Sequence, residues 1–394
     1  MRLLAARLTT AAVLALTSVA AGTASADTPE PTPAPLISSA NAIPGSYIVT
    51  LDKKFDPAEF AKTLGLKTKF SYTRTINGFA ASLDAKQLKA VRGAYGVQSV
   101  AEDASVSGPP APAKGAQTKS PSNSWGLDRI DQRFLPLDNN FSANRSGQGV
   151  TAYILDSGID YRHPDFGGRA RAGFDAIGDG RNGQDCNGHG THVAGTVGGT
   201  TFGVARKVNL VSVRVLGCDN RGAWSGIIAG FEWVARNAQQ PAVLNASLGG
   251  GRLDAVNNAA TAVSDRGVLP VIAAGNDNRD ACQVSPASAA RVVTVGATDR
   301  FDQETDFSNW GECLDIYAPG KDIISTRLGG GSVSMNGTSM AAPHVTGVAA
   351  LYKSEHPNAL PAEVTDFLDE VSTKDIVQNL SDNSPNKLLF TDGL

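Results

Sequence analysis

The 394-residue sequence has no basic tract, no Cys-x-x-Cys pair, no His-Glu-x-x-His and, past its first residues, no apolar run long enough to span a bilayer. With a formal net charge of only −3, the first absence leaves nucleic-acid binding without support. The others argue against a thiolate metal site, a zinc peptidase and a membrane-spanning protein. Cysteine is scarce, and Cys186, Cys218, Cys282 and Cys313 all lie in the later part of the chain. An even count in an exported protein favours disulfides, and the spacing leaves all three pairings open.

Glycine is abundant, at 42 residues, and clusters in apolar surroundings such as Gly249 to Gly251, which predicts tight loops where another backbone approaches closely. The N-terminus carries Arg2 and Arg7, an apolar run and then Ala24-Ser25-Ala26. This pattern predicts a secretory signal peptide over 1–26 and a soluble, extracellular mature protein. A Pro/Thr/Ser/Ala-rich spacer over 27–42 need not fold.

From residue 43 the pattern changes. Strands are predicted over 46–51, 70–76, 79–83 and 97–101, with Asn77-Gly78 as the turn of a hairpin. Helices are predicted over 57–64 and 84–91; the first carries Asp56 as cap, Pro57 at its first position and Glu59 placed for a capping box. This order fits a small α+β ferredoxin-like domain over 43–106. A Pro/Gly/Ser/Lys-rich linker over 107–124, exposed to proteolytic cutting, separates it from a large domain over 125–394. Signal, small domain, cuttable linker and large domain together point to a zymogen.

In the large domain, apolar runs over 150–155, 208–215, 242–247 and 268–274 alternate with helical patterns over 189–199, 225–238 and 254–266. Continuous rather than alternating apolar runs predict an α/β fold, a mostly parallel central sheet flanked by helices. Active residues in such sheets gather beyond the carboxyl ends of the strands. Asp156 follows one strand there, and His189 stands between two glycines at the start of a helix. In GTSMAAPH a glycine turn delivers Ser339 to the start of another helix, where a serine taken alone reads as a cap, and a nucleophile needs a base, an orienting acid and an oxyanion hole elsewhere in the chain. The other histidines, His163, His192, His344 and His356, read as structural or surface residues.

LDSGI with Asp156, NGHGTHVAGT with His189 and GTSMAAPH with Ser339 together resemble the subtilisin family of serine proteases, whose chain order is Asp, His, Ser. WGLDRIDQR, DCNGHGTHVAGT, AAGNDN and SPNKLL are similar to its proteinase K branch and to aqualysin-like enzymes. The resemblance runs from about residue 125 to the end, and the preceding domain resembles the family's inhibitory propeptide. It implies protein and peptide substrates, an Asp156–His189–Ser339 triad and an oxyanion hole of the Ser339 N–H with the Asn276 amide. It also implies that the chain's own propeptide is an intramolecular inhibitor, removed by a self-cut near Gln117 or Thr118, and that the protein is a monomer. Substrate would lie as a strand against Ala223, Trp224, Ser225 and Gly226 on one side and Ser247, Leu248, Gly249 and Gly250 on the other. The S1 pocket between Ser247–Gly250 and Ala273–Gly275 would take large apolar or aromatic residues, with Trp224 lining S4.

Asp128, Asp131, Gln132, Asp138 and Asn140 supply closely spaced oxygen donors that suit structural Ca²⁺, and related enzymes bind calcium in the matching segment. A second calcium site is implied at the Ala290 and Val292 carbonyls with Asp315. The same resemblance implies Cys186–Cys218 and Cys282–Cys313 as the disulfides. Val193 stands where some relatives carry a cysteine beside the triad.

Overall fold

In this computed structural model the described residues are 32–108 and 124–394. The expected signal peptide, the first five residues of the spacer and the expected cut near Gln117 or Thr118 lie outside them. Pro33–Leu394 forms one contact unit.

The N-terminal part is built from β1 (Leu36–Ile37), β2 (Ala42–Leu51), α1 (Pro57–Thr63), β3 (Thr68–Tyr72), β4 (Gly78–Ser82), α2 (Ala85–Gly93) and β5 (Val97–Ser107). Its sheet order is β1-β5-β2-β4-β3, and the four longer strands have the expected ferredoxin-like arrangement. Successive residues point to opposite faces. Val49, Phe79 and Val100 pack under the domain's own helices, whereas Ile48, Ala80 and Ala101 join the core of the following domain.

Three expectations are corrected here. The spacer is partly folded, because Leu36 and Ile37 pair in parallel with Val100 and Ala101. The capping box forms on α2, from Asp84 and Gln87, while Asp56 caps α1 alone. Asn77-Gly78 is no two-residue turn: β3 stops at Tyr72, and Gly78 is already in β4. The loop opens because the Thr73, Arg74 and Thr75 N–H groups all donate to the Glu232 carboxylate. Gly78 is needed for another reason, since a Cβ there would stand 2.1 Å from the Val49 carbonyl oxygen.

The following part opens with α3 (Trp125–Ile130), β6 (Thr151–Asp156), β7 (Ala170–Asp175), α4 (His189–Gly198), β8 (Asn209–Arg214) and β9 (Arg221–Ala223). It continues through α5 (Trp224–Asn237), β10 (Ala242–Ala246), β11 (Gly250–Gly251), α6 (Asp254–Ser264), β12 (Leu269–Ala273), β13 (Val284–Ser285), β14 (Val293–Thr298) and β15 (Ile316–Pro319). Last come β16 (Ile323–Thr326), β17 (Ser332–Met335), α7 (Thr338–Glu355), α8 (Pro361–Val371), β18 (Thr373–Lys374) and β19 (Lys387–Leu388).

The central sheet has nine strands in the order β18-β19-β15-β14-β12-β10-β6-β8-β7, parallel except at the β18–β19 edge. Strands β6, β10 and β12 are buried along their whole length, as their continuous apolar runs require. Helices α4 and α7 cover one face and α5 and α6 the other. The fold is therefore the expected α/β class. Among the described residues no helix is long and apolar enough to cross a membrane.

The two parts meet through α5, which begins without a side-chain cap of its own. Buried Asp103 of β5 takes that place: its carboxylate accepts from the Ser225 N–H at 3.0 Å and the Ser225 hydroxyl at 2.6 Å. Further along the helix, Glu232 returns the arrangement by capping the Thr73–Thr75 loop, and Arg236 braces it at 2.9 Å. Burial opposes the Glu232 charge, but these N–H donors and Arg236 hold its pKa below the usual carboxylate value. Replacing Glu232 by alanine strands three backbone donors, an expected loss of about 2–4 kcal/mol. In a Ser339→Ala background, hydrogen exchange over 33–107 would rise; unchanged protection would refute this account of the contact.

Candidate active site

Asp156 ends β6 and is fully buried; its Oδ1 accepts from the Ser157 N–H at 2.7 Å and bonds His189 Nδ1 at 2.8 Å. His189 is the first residue of α4, after Gly188 at φ 108°. A Cβ on Gly190 would stand 2.3 Å from the Gly158 carbonyl oxygen, so the glycines flanking the histidine let its helix close on the Asp156 turn. Asp185 ties the two segments together. It accepts from the Ser157 hydroxyl, from the N–H groups of Asn187 and Gly188, and from Thr191.

Burial lowers the His189 pKa, but the Asp156 charge and hydrogen bond, with Asp185 adding its field, outweigh it and raise the value above 6.5. His192 and His344 lack such a carboxylate, and burial pushes them down to about 3 and about 4. His192 Nε2 faces the Ile323 and Val333 carbonyls, and His344 Nδ1 faces the Met340 carbonyl. Both bond backbone carbonyls, whereas His189 pairs with a buried carboxylate.

Ser339 is the second residue of α7, one place past the expected start, because Gly337 at φ 147° occupies the cap. Its hydroxyl donates to the Ser247 carbonyl at 3.2 Å, while the Ser247 hydroxyl donates to the Ser339 carbonyl at 2.9 Å. Ser339 is thus neither a cap nor bonded to His189, whose Nε2 has no partner among the described residues. Asn276 is oriented by Thr338, whose N–H and hydroxyl donate to its Oδ1 at 2.8 and 3.0 Å. That leaves the Asn276 Nδ2 amide for a ligand. Gly275, at φ 105°, makes the bend possible, since a Cβ there would stand 2.3 Å from Asn309 Nδ2.

A cavity of about 330 Å³ brings Leu248, Gly249, Gly250, Ala273, Gly275 and Asn276 together with Ser339. Val284, Phe307 and Arg279 also line it, although no motif in the sequence marked them. Ser247 lies behind the wall, fully buried.

The expectation for 223–226 needs correction. The extended segment is Arg221–Ala223, whereas Trp224, Ser225 and Gly226 already belong to α5. Ser225 binds Asp103, and Trp224 packs over Gly250 beside Val106. The edge of β9 is already paired, antiparallel, with Ser105, Val106 and Ser107 of β5. Ser107 and Gly108 then enter the cavity beside Ser339.

Cys186–Cys218 and Cys282–Cys313 are disulfides. In the calcium candidate segment, Asp128 accepts from the Asp138 and Asn139 N–H groups, Asp131 from Ser142 and Asp138 from Asn140. Gln132 donates to the Pro136 carbonyl and accepts from the Asp138 N–H. Burial, then the charges of Asp128 and Asp138, raise Asp131 to about 6. Among the described residues, the one group of three acid, His or Cys ligand atoms within 4.8 Å is Asp179 with Cys186 and Cys218. Those sulfurs are spent in a disulfide, and Asp128, Asp131 and Asp138 do not converge to that spacing. At the second candidate, the Ala290 carbonyl accepts from Thr261 and Asp315 from the Thr294 N–H. The Val292 side chain is buried.

The Asp156–His189 pair thus lies at the carboxyl end of β6, and Ser339, at the start of α7, shares a cavity with Asn276. Residues 147–391 match the Subtilase family (Peptidase S8), and residues 46–107 match Peptidase inhibitor I9. The chain belongs to the subtilase family of serine proteases and carries an I9 propeptide domain.

It is 48% identical over 322 residues to alkaline serine exoprotease A of Vibrio alginolyticus, spanning 81% of this chain and 59% of that protein. It is 43% identical over 377 residues to the extracellular serine proteinase of Thermus sp. (strain Rt41A), covering 89% and 90% of the two. The crystal structure of a cold adapted subtilisin-like serine proteinase superposes with a TM-score of 0.67 at 49% identity, over 69% of this chain and 99% of that one.

Folding raises the His189 pKa, so the protonated His189–Asp156 pair contributes stability that is present at low pH and lost as pH rises through the folded value. Base function runs the opposite way, because only neutral imidazole accepts a proton. NMR titration of the Ser339→Ala protein should place the His189 midpoint above 6.5, and Asp156→Asn should move it down. A midpoint indifferent to Asp156→Asn would overturn this assignment.

Proposed function

We propose that this chain is a secreted serine endopeptidase made as a self-processing zymogen, with a small domain over 43–106, a cut linker over 107–124 and a catalytic domain over 125–394. The supporting observation is that β5 lies against β9 as a substrate strand would and leads Gly108 into the cavity holding Ser339 and Asn276.

In the proposed reaction, a bound peptide draws the Ser339 hydroxyl from the Ser247 carbonyl to His189 Nε2. Ser339 Oγ attacks the scissile carbonyl as His189 takes its proton, and Asp156 holds the tautomer and stabilises the imidazolium. The oxyanion develops between the Ser339 N–H, at the positive end of α7, and Asn276 Nδ2. His189 then protonates the leaving amine, and water cleaves the acyl-enzyme by the same steps. The small, uncharged Gly249, Gly250, Ala273 and Gly275 walls favour an apolar or aromatic P1 residue. The β5 strand inhibits by filling the same groove.

Ser339→Ala should abolish peptide hydrolysis, a loss on the order of 10⁴-fold or more, and should accumulate with 32–108 still attached in a host lacking other proteases. Normal cutting of that variant would show that another enzyme processes it. Asn276→Ala should fold, process slowly and lose about 10²–10³-fold in turnover, the range typical of removing one oxyanion donor.

Calcium enters this reading as a structural ion. Asp131, held near 6 by burial and two neighbouring acids, fits a cation-relieved cluster with Asp128, Asp138, Gln132 and Asn140. Ala290, Val292 and Asp315 are a second candidate. Bound calcium would neutralise the acids and hold the 128–140 loop. Differential scanning calorimetry should show Tm rising with calcium concentration, and Asp131→Asn should reduce the slope. A Tm unaffected by calcium or chelator would remove the ion from the proposal.

A further inference from the structure

We propose that Asn220 restricts the substrate residue bonded to its carbonyl, P2, to glycine or a very small side chain. This rests on the reading of β5 as a substrate-like strand.

The antiparallel pairing of Ser105, Val106 and Ser107 with Ala223, Gly222 and Arg221 continues one step further. There the Gly108 N–H donates to the Asn220 carbonyl at 2.8 Å. Val106 and Trp224 both flank Gly250, which identifies Val106 as the residue facing S4 and, two places on, Gly108 as P2. A Cβ on Gly108 would stand 2.4 Å from Asn220 Nδ2, 2.9 Å from its Cγ and 3.0 Å from its Oδ1. The whole carboxamide therefore lies where a substrate side chain would begin.

This wall has little room to retreat. With β5 seated, Asn220 is 3% exposed, and its backbone is left-handed at φ 59°. The Asn220 N–H bonds the Gly217 carbonyl, and the Gly217 N–H bonds the Arg221 carbonyl. Cys218, inside the same turn, is fixed by its disulfide to Cys186 and by the Asn187 amide on its carbonyl. A larger P2 residue must displace the carboxamide or give up the hydrogen bond to the Asn220 carbonyl. In either case transition-state binding is lost.

Asn220→Gly removes the wall and suits the left-handed backbone, so the variant should fold. Mature enzyme assayed on peptides with Phe at P1 and Gly or Leu at P2 should favour Gly by about 10-fold or more in kcat/KM. Asn220→Gly should bring the ratio within about threefold by raising the Leu peptide. Asn220→Asp, which keeps the shape, should retain the preference. An unchanged ratio in Asn220→Gly, a lost preference in Asn220→Asp, or a wild-type preference for Leu would each overturn the proposal.

A second measurement needs no catalysis. In the full Ser339→Ala chain, Gly108→Leu should lower hydrogen-exchange protection of 105–107, and adding Asn220→Gly should restore it. Failure of that rescue also overturns the steric gate. Absence of hydrolysis by every mature enzyme would instead defeat the protease reading, with the exchange pair still deciding the gate.

Discussion

Helix α5 starts without a cap of its own, and the protein resolves this by placing a carboxylate from the preceding domain on its first turn. Asp103 satisfies donors that would otherwise be orphaned in a buried place, and in doing so fixes where β5 lies. The strand pairing with β9, the packing of Val106 beside Trp224 and the entry of Gly108 into the cavity follow from that anchor. Glu232 at the helix's third turn is the second anchor, and the two hold the small domain's open sheet face against α5.

The site depends on a different constraint, close approach of backbones. Gly190 lets α4 close on the Asp156 turn, Gly275 lets the Asn276 loop pass Asn309, and Gly337 turns the chain into α7. Thr338 and Asp185 then orient what the glycines bring near. Thr338 fixes the Asn276 amide, and Asp185 joins the Asp156 and His189 segments while adding negative field to the imidazole. The result is a His189 whose pKa is raised, while those of buried His192 and His344 fall.

Much of this was legible in the residues. Continuous apolar runs marked the buried parallel strands because both faces of each are covered. The carboxyl-end position of Asp156 and the flanked His189 marked the site because open α/β sheets place chemistry there. The strands β7, β14, β15, β18 and β19 flank those runs on either side and lie outside them. The hairpin at Asn77-Gly78 misled for a physical reason: its turn propensity was overridden by Glu232, a residue far along the chain, which recruited the loop's N–H groups. Likewise the segment at 223–226 reads as extended, but the Asp103 cap starts the helix at Trp224.

Local motifs and hydrophobic period were enough to fix the family and the fold class, and they mark Asp156, His189, Ser339 and Asn276 as the candidates for chemistry. That Ser339 rests on the Ser247 carbonyl, and that Val284, Phe307 and Arg279 line the cavity, came from the folded chain alone. So did the placing of Asn220 against Gly108. These contacts join residues distant in sequence, and no local propensity carries information about which distant group fills the space beside a given side chain.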